Sequence, residues 1–347
     1  MDPDRHGDAD ALPGMVDFAV NVRPGPPDFV VAALSAAMSE LAAYPRADDE
    51  WATRAALAQL HDRRPDEVLL LNGAAEGFEL VAGLGRAHAA VVVPSFTEPV
   101  SLLRRAGVPV TEVIGSAPWR LADVCAQIPP DADLVVVGNP TNPTSVLHPA
   151  ADIAALRAPG RLLVVDEAFA DLTGGSVADL AGEDVVVLRS VTKTFGLAGL
   201  RAGYLLAAPA VIAELERRRR SWPVDSLTLA ALHACASPQG RAYGAEQARS
   251  VEGERAYLCA ALREAGFTIP AESAAPFVLV EHPRAADIRA ALRRRGFAVR
   301  SAENFTGLDA RYLRFAVRDR ELVDDLSHAL ESVLDELAAH DAERGSR

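Results

Sequence analysis

Short, wholly apolar runs alternate with segments of helical periodicity over the first two thirds of the chain. The apolar runs cover residues 68–71, 89–93, 134–137, 162–165, 185–188 and 204–207. Each has the length of a strand that is covered on both faces. Between them, residues 76–84, 97–106 and 150–156 carry Ala and Leu at helical spacing. This alternation predicts an α/β fold with a mainly parallel, helix-covered sheet.

The pattern changes after about residue 221. A long Ala-rich helical stretch precedes two further strand-like runs and two further helices, which cover residues 227–265, 277–281, 285–295, 312–317 and 321–339. We expect a smaller α+β domain here. The predicted division is an N-terminal arm with part of the small domain (1–45), a large domain (46–225), and a connecting helix with the small C-terminal domain (226–347).

Composition and charge narrow the class of function. Half of the 347 residues are hydrophobic and 24% are charged, which indicates a compact globular protein. A formal net charge of −13 repels phosphate backbones and anionic membrane surfaces, so neither nucleic acid nor membrane is an expected partner. Three separated cysteines without a metal-binding pattern, and a polar opening without a leader-like apolar run, predict a cytoplasmic protein with no metal site.

The strongest chemical signal is SVTKTFGLAGLRAG at residues 190–203, directly after a predicted strand. Ligands bind at the carboxyl ends of strands in such sheets, and a lysine there becomes nucleophilic when burial or nearby positive charge lowers its pKa. Lys193 is therefore a Schiff-base candidate. Ser190, Thr192 and Arg201 would bring two hydroxyls and a guanidinium to the same turn, and these groups suit a phosphate.

This segment resembles the lysine signature of the class I pyridoxal-phosphate aminotransferases, which have fold type I. The resemblance implies pyridoxal 5′-phosphate as cofactor, with Lys193 holding it as a Schiff base and later moving the substrate's α-proton. It also implies that Ser190, Thr192 and Arg201 bind the cofactor phosphate.

Three further segments match the family in order. Asp166 closes an apolar strand and would keep the cofactor's ring nitrogen protonated. Asn142, in GNPTNPTS, matches the asparagine that binds the phenolic oxygen, although Ser145 stands where the family has glycine. The strand–turn–helix segment LLLNGAAEGFEL would place the backbone amides of its turn residues around the phosphate. Those turn residues are Gly73, Ala74, Ala75 and Glu76.

Two positions depart from the family. Where relatives stack a tyrosine on the cofactor, this chain has Pro99, and Phe96 is the expected replacement. Where many relatives read Asp-Glu-Ala-Tyr, this chain has Phe169, so Asn142 would act on the ring oxygen without a tyrosine hydroxyl beside it.

Near the termini, the resemblance is to the histidinol-phosphate aminotransferase and threonine-phosphate decarboxylase branch. It implies that Arg314 and Asn21 bind the substrate. The His6-Gly7 pair resembles the decarboxylase more than the aminotransferase. LAAYPRAD resembles a segment by which one subunit reaches its partner's cofactor phosphate, so Tyr44 implies a homodimer with shared active sites, although Arg46 replaces the usual acid.

The expected activity is that of an aminotransferase acting on a phosphorylated amino compound such as histidinol phosphate. Decarboxylation of threonine phosphate, as in cobalamin synthesis, is the alternative, and a non-catalytic cofactor-binding regulator is a remote one. Three candidates for a substrate-phosphate ligand stay open: Arg23, Arg318 and the basic run at 217–220.

Overall fold

The computed structural model describes residues 10–345, with side chains as far as residue 340, so His6 and Gly7 lie outside it. The strands are β1 Val16–Phe18, β2 Val68–Asn72, β3 Ala89–Val93, β4 Val110–Ile114, β5 Leu134–Gly138, β6 Leu162–Glu167, β7 Val185–Ser190, β8 Ala202–Leu206, β9 Phe277–Glu281, β10 Phe297–Ser301 and β11 Tyr312–Ala316. The α-helices are α1 Asp28–Ala37, α2 Ala47–Leu60, α3 Ala74–Ala82, α4 Glu98–Arg105, α5 Ala150–Ala154, α6 Pro209–Glu216, α7 Ser226–Ala236, α8 Pro238–Glu264, α9 Ala285–Arg294 and α10 Arg320–Gly345.

The large sheet has seven strands in the order β2-β8-β7-β6-β5-β3-β4. All six apolar runs are strands of this sheet, and only β8 runs antiparallel to its neighbours, so the predicted mainly parallel sheet is confirmed. Sequence analysis missed β4. Its sequence, VTEVI, alternates apolar and polar residues because it is an edge strand with a half-exposed face.

The small sheet has four strands in the order β1-β10-β11-β9. The runs at 277–281 and 312–317 correspond to β9 and β11, but β1 and β10 were not predicted. β1 has only three residues, and β10 reads FAVRS, in which a buried arginine interrupts the apolar run. Residues of α8, α9 and α10 bury this sheet's hydrophobic face, which confirms the expected smaller α+β unit.

The helical stretch at 227–265 is two helices rather than one. Asp225 caps α7 by accepting from the Thr228 amide at 2.8 Å, and Ser237 caps α8 by accepting from the Gly240 amide at 3.1 Å. Pro238 stands at the first position of α8, where its missing N–H costs nothing. The Ser-Pro pair therefore ends one helix and starts the next. Among the described helices, none is long and apolar enough to cross a membrane.

A buried ion pair joins β6 to β7. Arg189 Nη1 donates to Glu167 Oε2 at 2.6 Å, and its Nη2 bonds Asp171. Glu167 and Arg189 are direct cross-strand partners and are almost fully buried. The pair fixes the register of the two strands that carry Asp166 and Ser190.

Replacing Arg189 by methionine should lower the free energy of unfolding by about 3–5 kcal/mol, because it leaves the Glu167 carboxylate buried without its cation. Urea denaturation followed by circular dichroism measures this. The double variant Arg189→Met/Glu167→Leu should recover part of the loss, since it removes both charges. A loss under about 1 kcal/mol in the single variant would show that the pair is not a stabilising feature.

Candidate active site

Lys193 lies in the loop that follows β7, at the carboxyl edge of the sheet. It is the only lysine in the sequence, so the other 34 of the 35 lysine and arginine residues are arginines. Its Nζ lies 5.9 Å from the centre of the Phe169 ring. Burial lowers the pKa of Lys193 to about 8, with Arg201 and Arg314 acting in the same direction and Asp166 opposing them. A much larger fraction of this amine than of an ordinary lysine is therefore neutral and nucleophilic near physiological pH.

The reactivity of Lys193 should follow this pKa. In cofactor-free protein, the rate constant for acylation of Lys193 should rise with pH and level off, with a midpoint near 8. Removing a positive neighbour (Arg201→Gln) should raise the midpoint, whereas removing a negative one (Asp166→Asn) should lower it. Because Lys193 is the only lysine, peptide mapping after an arginine-specific protease separates its label from that of the α-amine. A midpoint near 10.5, the ordinary lysine value, would contradict the burial described here.

Asp166 lies at the carboxyl end of β6, next to β7 in the sheet. Burial raises the pKa of its carboxyl to about 6, while the Ala168 amide, which donates to Oδ1 at 3.0 Å, and Lys193 pull it down. The group is therefore ionised at neutral pH. It is a buried carboxylate suited to bind a protonated ring nitrogen.

The β2–α3 turn forms a cradle for an anion. Gly73 has φ +73°, and a Cβ there would lie 2.9 Å from Arg201 Nη2. A Cβ on Gly203 would lie 2.7 Å from the Ala74 amide nitrogen. The two glycines therefore let the Arg201 guanidinium and β8 approach the first turn of α3. Amides at a helix N-terminus beside a guanidinium favour a phosphate.

The hydroxyls of Ser190 and Thr192 lie at the end of β7 beside this turn. Ser190 Oγ accepts from the Thr192 amide at 3.3 Å, which leaves its own proton for another acceptor. Thr192 Oγ1 donates to the Ala202 carbonyl at 3.2 Å, so its lone pairs remain free in this arrangement. Of the two, Ser190 is thus the better oriented donor to an anion.

Glu76 forms hydrogen bonds that stabilise this turn. Its amide donates to the Gly73 carbonyl at 3.1 Å, so this N–H is already used within the helix. Its carboxylate accepts from the Asn72 amide at 2.6 Å and forms two hydrogen bonds with Arg219, of 2.7 and 2.8 Å. The Glu76 amide, which the sequence analysis assigned to the phosphate, therefore already has a partner inside the turn, and its phosphate role stays a prediction.

Arg314 links the small sheet to the loop after β5. Its Nη1 donates to Asn142 Oδ1 at 2.5 Å and its Nη2 to the Ala19 carbonyl at 2.7 Å. With its amide oxygen facing Arg314, Asn21 accepts from Nη1 at 3.0 Å and from Nη2 at 3.3 Å. Burial, and then the charge of Arg300, lowers the pKa of Arg314 to about 9. The bond to Arg314 orients the Asn142 amide so that its NH₂ group is left to donate.

Most of these groups meet in one cavity, and Arg314 adjoins it through its bond to Asn142. It is lined by Gly73, Ala74, Ala75, Phe78, Phe96, Pro140, Asn142, Asp166, Ala168, Phe169, Ser190, Thr192, Lys193 and Arg201. Phe96 thus lies where an aromatic ring can cover a flat ligand, whereas Pro99 is buried within α4. Sequence analysis did not assign Phe78 and Ala168 to the site. Both are apolar; Phe78 lies in α3 and Ala168 in the turn after β6.

The arginines left open as substrate-phosphate ligands have other partners. Arg23 is paired with Glu254 and Gln247 of α8. Arg318 donates to the carbonyls of Asp17, Val317 and Val20. In the basic run, Arg219 pairs with Glu76, Arg218 bonds the Gly83 carbonyl, and the other two members are exposed.

A different arginine, Arg300, accompanies Arg314. The two are direct cross-strand partners on β10 and β11, so their side chains project from the same face of the small sheet. Arg300 is 3% exposed and donates to Asn304 Oδ1 at 2.8 Å. Sequence analysis missed it, although an arginine within FAVRS is the same signal that identified Arg314.

Tyr44 lies outside the cavity of its own chain. It is 71% exposed and stacks on Trp222, with ring centres 4.2 Å apart and planes 21° apart. Other exposed apolar side chains belong to the same part of the sequence, namely Val31, Met38, Leu41 and Trp51. Several large apolar side chains exposed along one segment are a feature of surfaces that bind another protein.

The comparisons with known proteins agree with this geometry. The family model described as "Aminotransferase class I and II" matches residues 13–330. A Mycobacterium tuberculosis protein named histidinol-phosphate aminotransferase is 50% identical over 317 residues, which are 90% of this chain and 86% of that protein. A Salmonella typhimurium threonine-phosphate decarboxylase is 30% identical over 342 residues, 94% of this chain and 93% of the other. A crystal structure of histidinol-phosphate aminotransferase from Clostridium acetobutylicum superposes with a TM-score of 0.85 at 23% identity, covering 93% of this chain and all of that one.

Proposed function

Because this chain belongs to the class I and II aminotransferase family, we propose that it is a pyridoxal-phosphate-dependent aminotransferase that acts on histidinol phosphate. The 50% identity to a protein of that name supports this substrate. The observation that carries the proposal is the pair of buried arginines, Arg300 and Arg314, which are direct cross-strand partners; Arg314 also bonds Asn142, which lines the cavity.

The residues of the cavity fit the cofactor. Arg201, the Ser190 hydroxyl and the amides of the β2–α3 turn would hold its phosphate in the cradle that Gly73 and Gly203 keep open. Asp166 would bind the ring nitrogen, and the Asn142 amide would donate to the ring oxygen. When bound, pyridoxal phosphate supplies an aldehyde that takes up an amine and a ring that withdraws electrons from the substrate's α-carbon.

Lys193 would transfer the proton, and Asp166 would stabilise the protonated ring nitrogen. Lys193 is partly neutral near pH 8, so it can attach to an aldehyde and, once released, can take a proton from the substrate's α-carbon and return it. Asp166 is ionised at neutral pH and would keep the ring nitrogen protonated, which increases the ring's pull on electrons.

The arginine pair supports a phosphorylated substrate. Like charges placed directly opposite each other on neighbouring strands repel, and the Asp10 carboxylate beside Arg300 supplies only one negative charge against these two buried guanidiniums. A phosphate monoester carries close to two negative charges at neutral pH and accepts from two guanidiniums at once. The pair therefore matches a substrate phosphate better than a single carboxylate.

Decarboxylation of threonine phosphate is the second candidate, since a decarboxylase of that substrate is 30% identical over nearly the whole chain. With the cofactor bound, the orientation of the substrate would decide which bond at its α-carbon breaks. The anion site at Arg314 would help to set that orientation, and so the choice between loss of a proton and loss of carbon dioxide.

One assay separates the candidates. Purified protein loaded with pyridoxal phosphate is incubated with histidinol phosphate plus 2-oxoglutarate and, separately, with O-phosphothreonine, while glutamate and carbon dioxide are followed. The proposal predicts that glutamate forms in the histidinol phosphate reaction and that no carbon dioxide forms from phosphothreonine. Carbon dioxide from phosphothreonine would support the decarboxylase. If neither product forms, the assignment of a phosphorylated substrate is overturned.

We also propose a cytoplasmic homodimer in which Tyr44 of the partner subunit reaches the cofactor phosphate. The exposed Tyr44–Trp222 stack and the exposed apolar side chains of the same segment support the interface, and the free thiols of the described cysteines support a reducing compartment. Mixing Lys193→Ala with Tyr44→Ala subunits should then restore about a quarter of the wild-type activity through hybrid dimers with one intact site. Mixtures that stay inactive although hybrids form would exclude shared sites.

A further inference from the structure

Asp10 lies beside the arginine pair to which we assign the substrate's anion. Its side chain is only 1% exposed. Its Oδ1 accepts from Arg289 Nη2 at 2.7 Å, and its Oδ2 lies 3.4 Å from Arg300 Nη1. Its backbone carbonyl accepts from Arg293 Nη1 at 3.1 Å. A buried negative charge is therefore fixed against a cation that faces the anion site.

The charge of Asp10 also reaches Arg314. After burial, the strongest influences on the pKa of Arg314 are Arg300, which lowers it, and Asp10, which raises it. Asp10 thus offsets part of the positive field that the two arginines produce together. A ligand anion at these arginines would feel the same offset with the opposite sign, because Asp10 repels it.

We propose that Asp10 is a specificity-determining residue that serves as the internal counterion of Arg300 and weakens the binding of dianions more than that of monoanions. Coulomb energy is proportional to the ligand's charge, so a fixed carboxylate penalises phosphate about twice as much as a carboxylate ligand, on a logarithmic scale of affinity. A substrate also has an amine that reacts at the Lys193 site, which inorganic phosphate lacks. Asp10 therefore limits occupation of the site by free phosphate. This inference rests on the proposed function, since it takes Arg300 and Arg314 as the substrate's anion site.

The test measures the binding of inorganic phosphate and of acetate by calorimetry at pH 8, where phosphate is mostly the dianion. The protein is loaded with pyridoxal phosphate, so that the cofactor's own phosphate site is filled. Asp10→Asn keeps the shape of the side chain and removes its charge. We expect phosphate to bind about tenfold more tightly and acetate about threefold more tightly. Asp309→Asn, an exposed neutralisation that pairs with Arg311, is the matched control and should leave both affinities unchanged.

A second variant separates the charge effect from a structural one. Arg289→Gln breaks the same ion pair but leaves the Asp10 charge less compensated, so phosphate should bind about tenfold more weakly. A merely structural role would weaken phosphate binding in both variants, because both lose the Asp10–Arg289 contact. Opposite shifts in the two variants therefore support the proposal.

Other results would overturn it. The proposal is overturned if phosphate binding is unchanged or weaker in Asp10→Asn, or if neither this variant nor the wild type binds phosphate. If Asp10→Asn does not fold, the proposal is overturned when Arg289→Gln binds phosphate as tightly as the wild type or more tightly. Phosphate binding by Arg314→Ala distinguishes a failure of the role proposed for Asp10 from a failure of the proposed function. If phosphate binds Arg314→Ala as it binds the wild type, the assigned anion site is wrong. If that variant loses phosphate but Asp10→Asn behaves as the wild type, only the role of Asp10 falls.

Discussion

Lys193→Ala should lose aminotransferase activity by roughly 10⁴-fold or more, because one side chain supplies both the attachment of the cofactor and the proton transfer. The chain offers no second lysine that could take over. The visible absorption of lysine-bound cofactor should disappear from the loaded protein, since no ε-amine remains to react with the aldehyde. Single-turnover kinetics with histidinol phosphate and absorption spectroscopy measure the two effects.

The matched control for this variant is Lys193→Arg. It keeps a positive charge beside Asp166 but replaces the amine by a guanidinium that stays protonated, so it should be as inactive as Lys193→Ala. Added small primary amines should restore part of the proton transfer in Lys193→Ala, where the side chain's space is empty. Activity within tenfold of wild type in either variant would show that Lys193 is not the catalytic amine.

Asp166→Asn should lower kcat by about 10³-fold, because a neutral amide cannot keep the cofactor's ring nitrogen protonated and the ring then withdraws electrons less strongly. The substitution preserves the size of the side chain and its position at the end of β6. The affinity for the cofactor should fall much less than kcat, since the phosphate contacts remain. Steady-state kinetics and equilibrium dialysis of the cofactor measure the two quantities.

Asp184→Asn provides the comparison for this prediction. Asp184 pairs with Arg157 on the outside of the protein, at the opposite ends of the same strands, and its neutralisation should leave kcat unchanged. Equal losses in kcat and in cofactor affinity for Asp166→Asn would mean that the carboxylate only holds the cofactor in place.

Much of the site was predictable because its residues stand at the ends of recognisable strands. Lys193, Asp166 and Asn142 follow wholly apolar runs, and the carboxyl ends of parallel strands meet at one edge of a sheet. Gly73 and Arg201 belong to motifs with an unusual order of residues. The sequence therefore predicted six of the seven strands of the large sheet and most of the side chains that line one cavity.

The remaining features depend on contacts between distant segments. Arg300 gains its place from the pairing of β10 with β11, and Asp10 gains its burial from three arginines about 280 residues away in the chain. Local sequence also does not show that the Glu76 amide already has a partner, the Gly73 carbonyl. The boundaries proposed at residues 45 and 225 stay predictions.

The most direct test of the account is reductive trapping of the cofactor. Borohydride reduction of the protein loaded with pyridoxal phosphate should attach one pyridoxyl phosphate group, and peptide mapping should find it on Lys193, within the fragment of residues 190–201 that cleavage at arginine releases. A label found only on the α-amine, or no label at all, would contradict the claim that Lys193 is the residue around which this site is built.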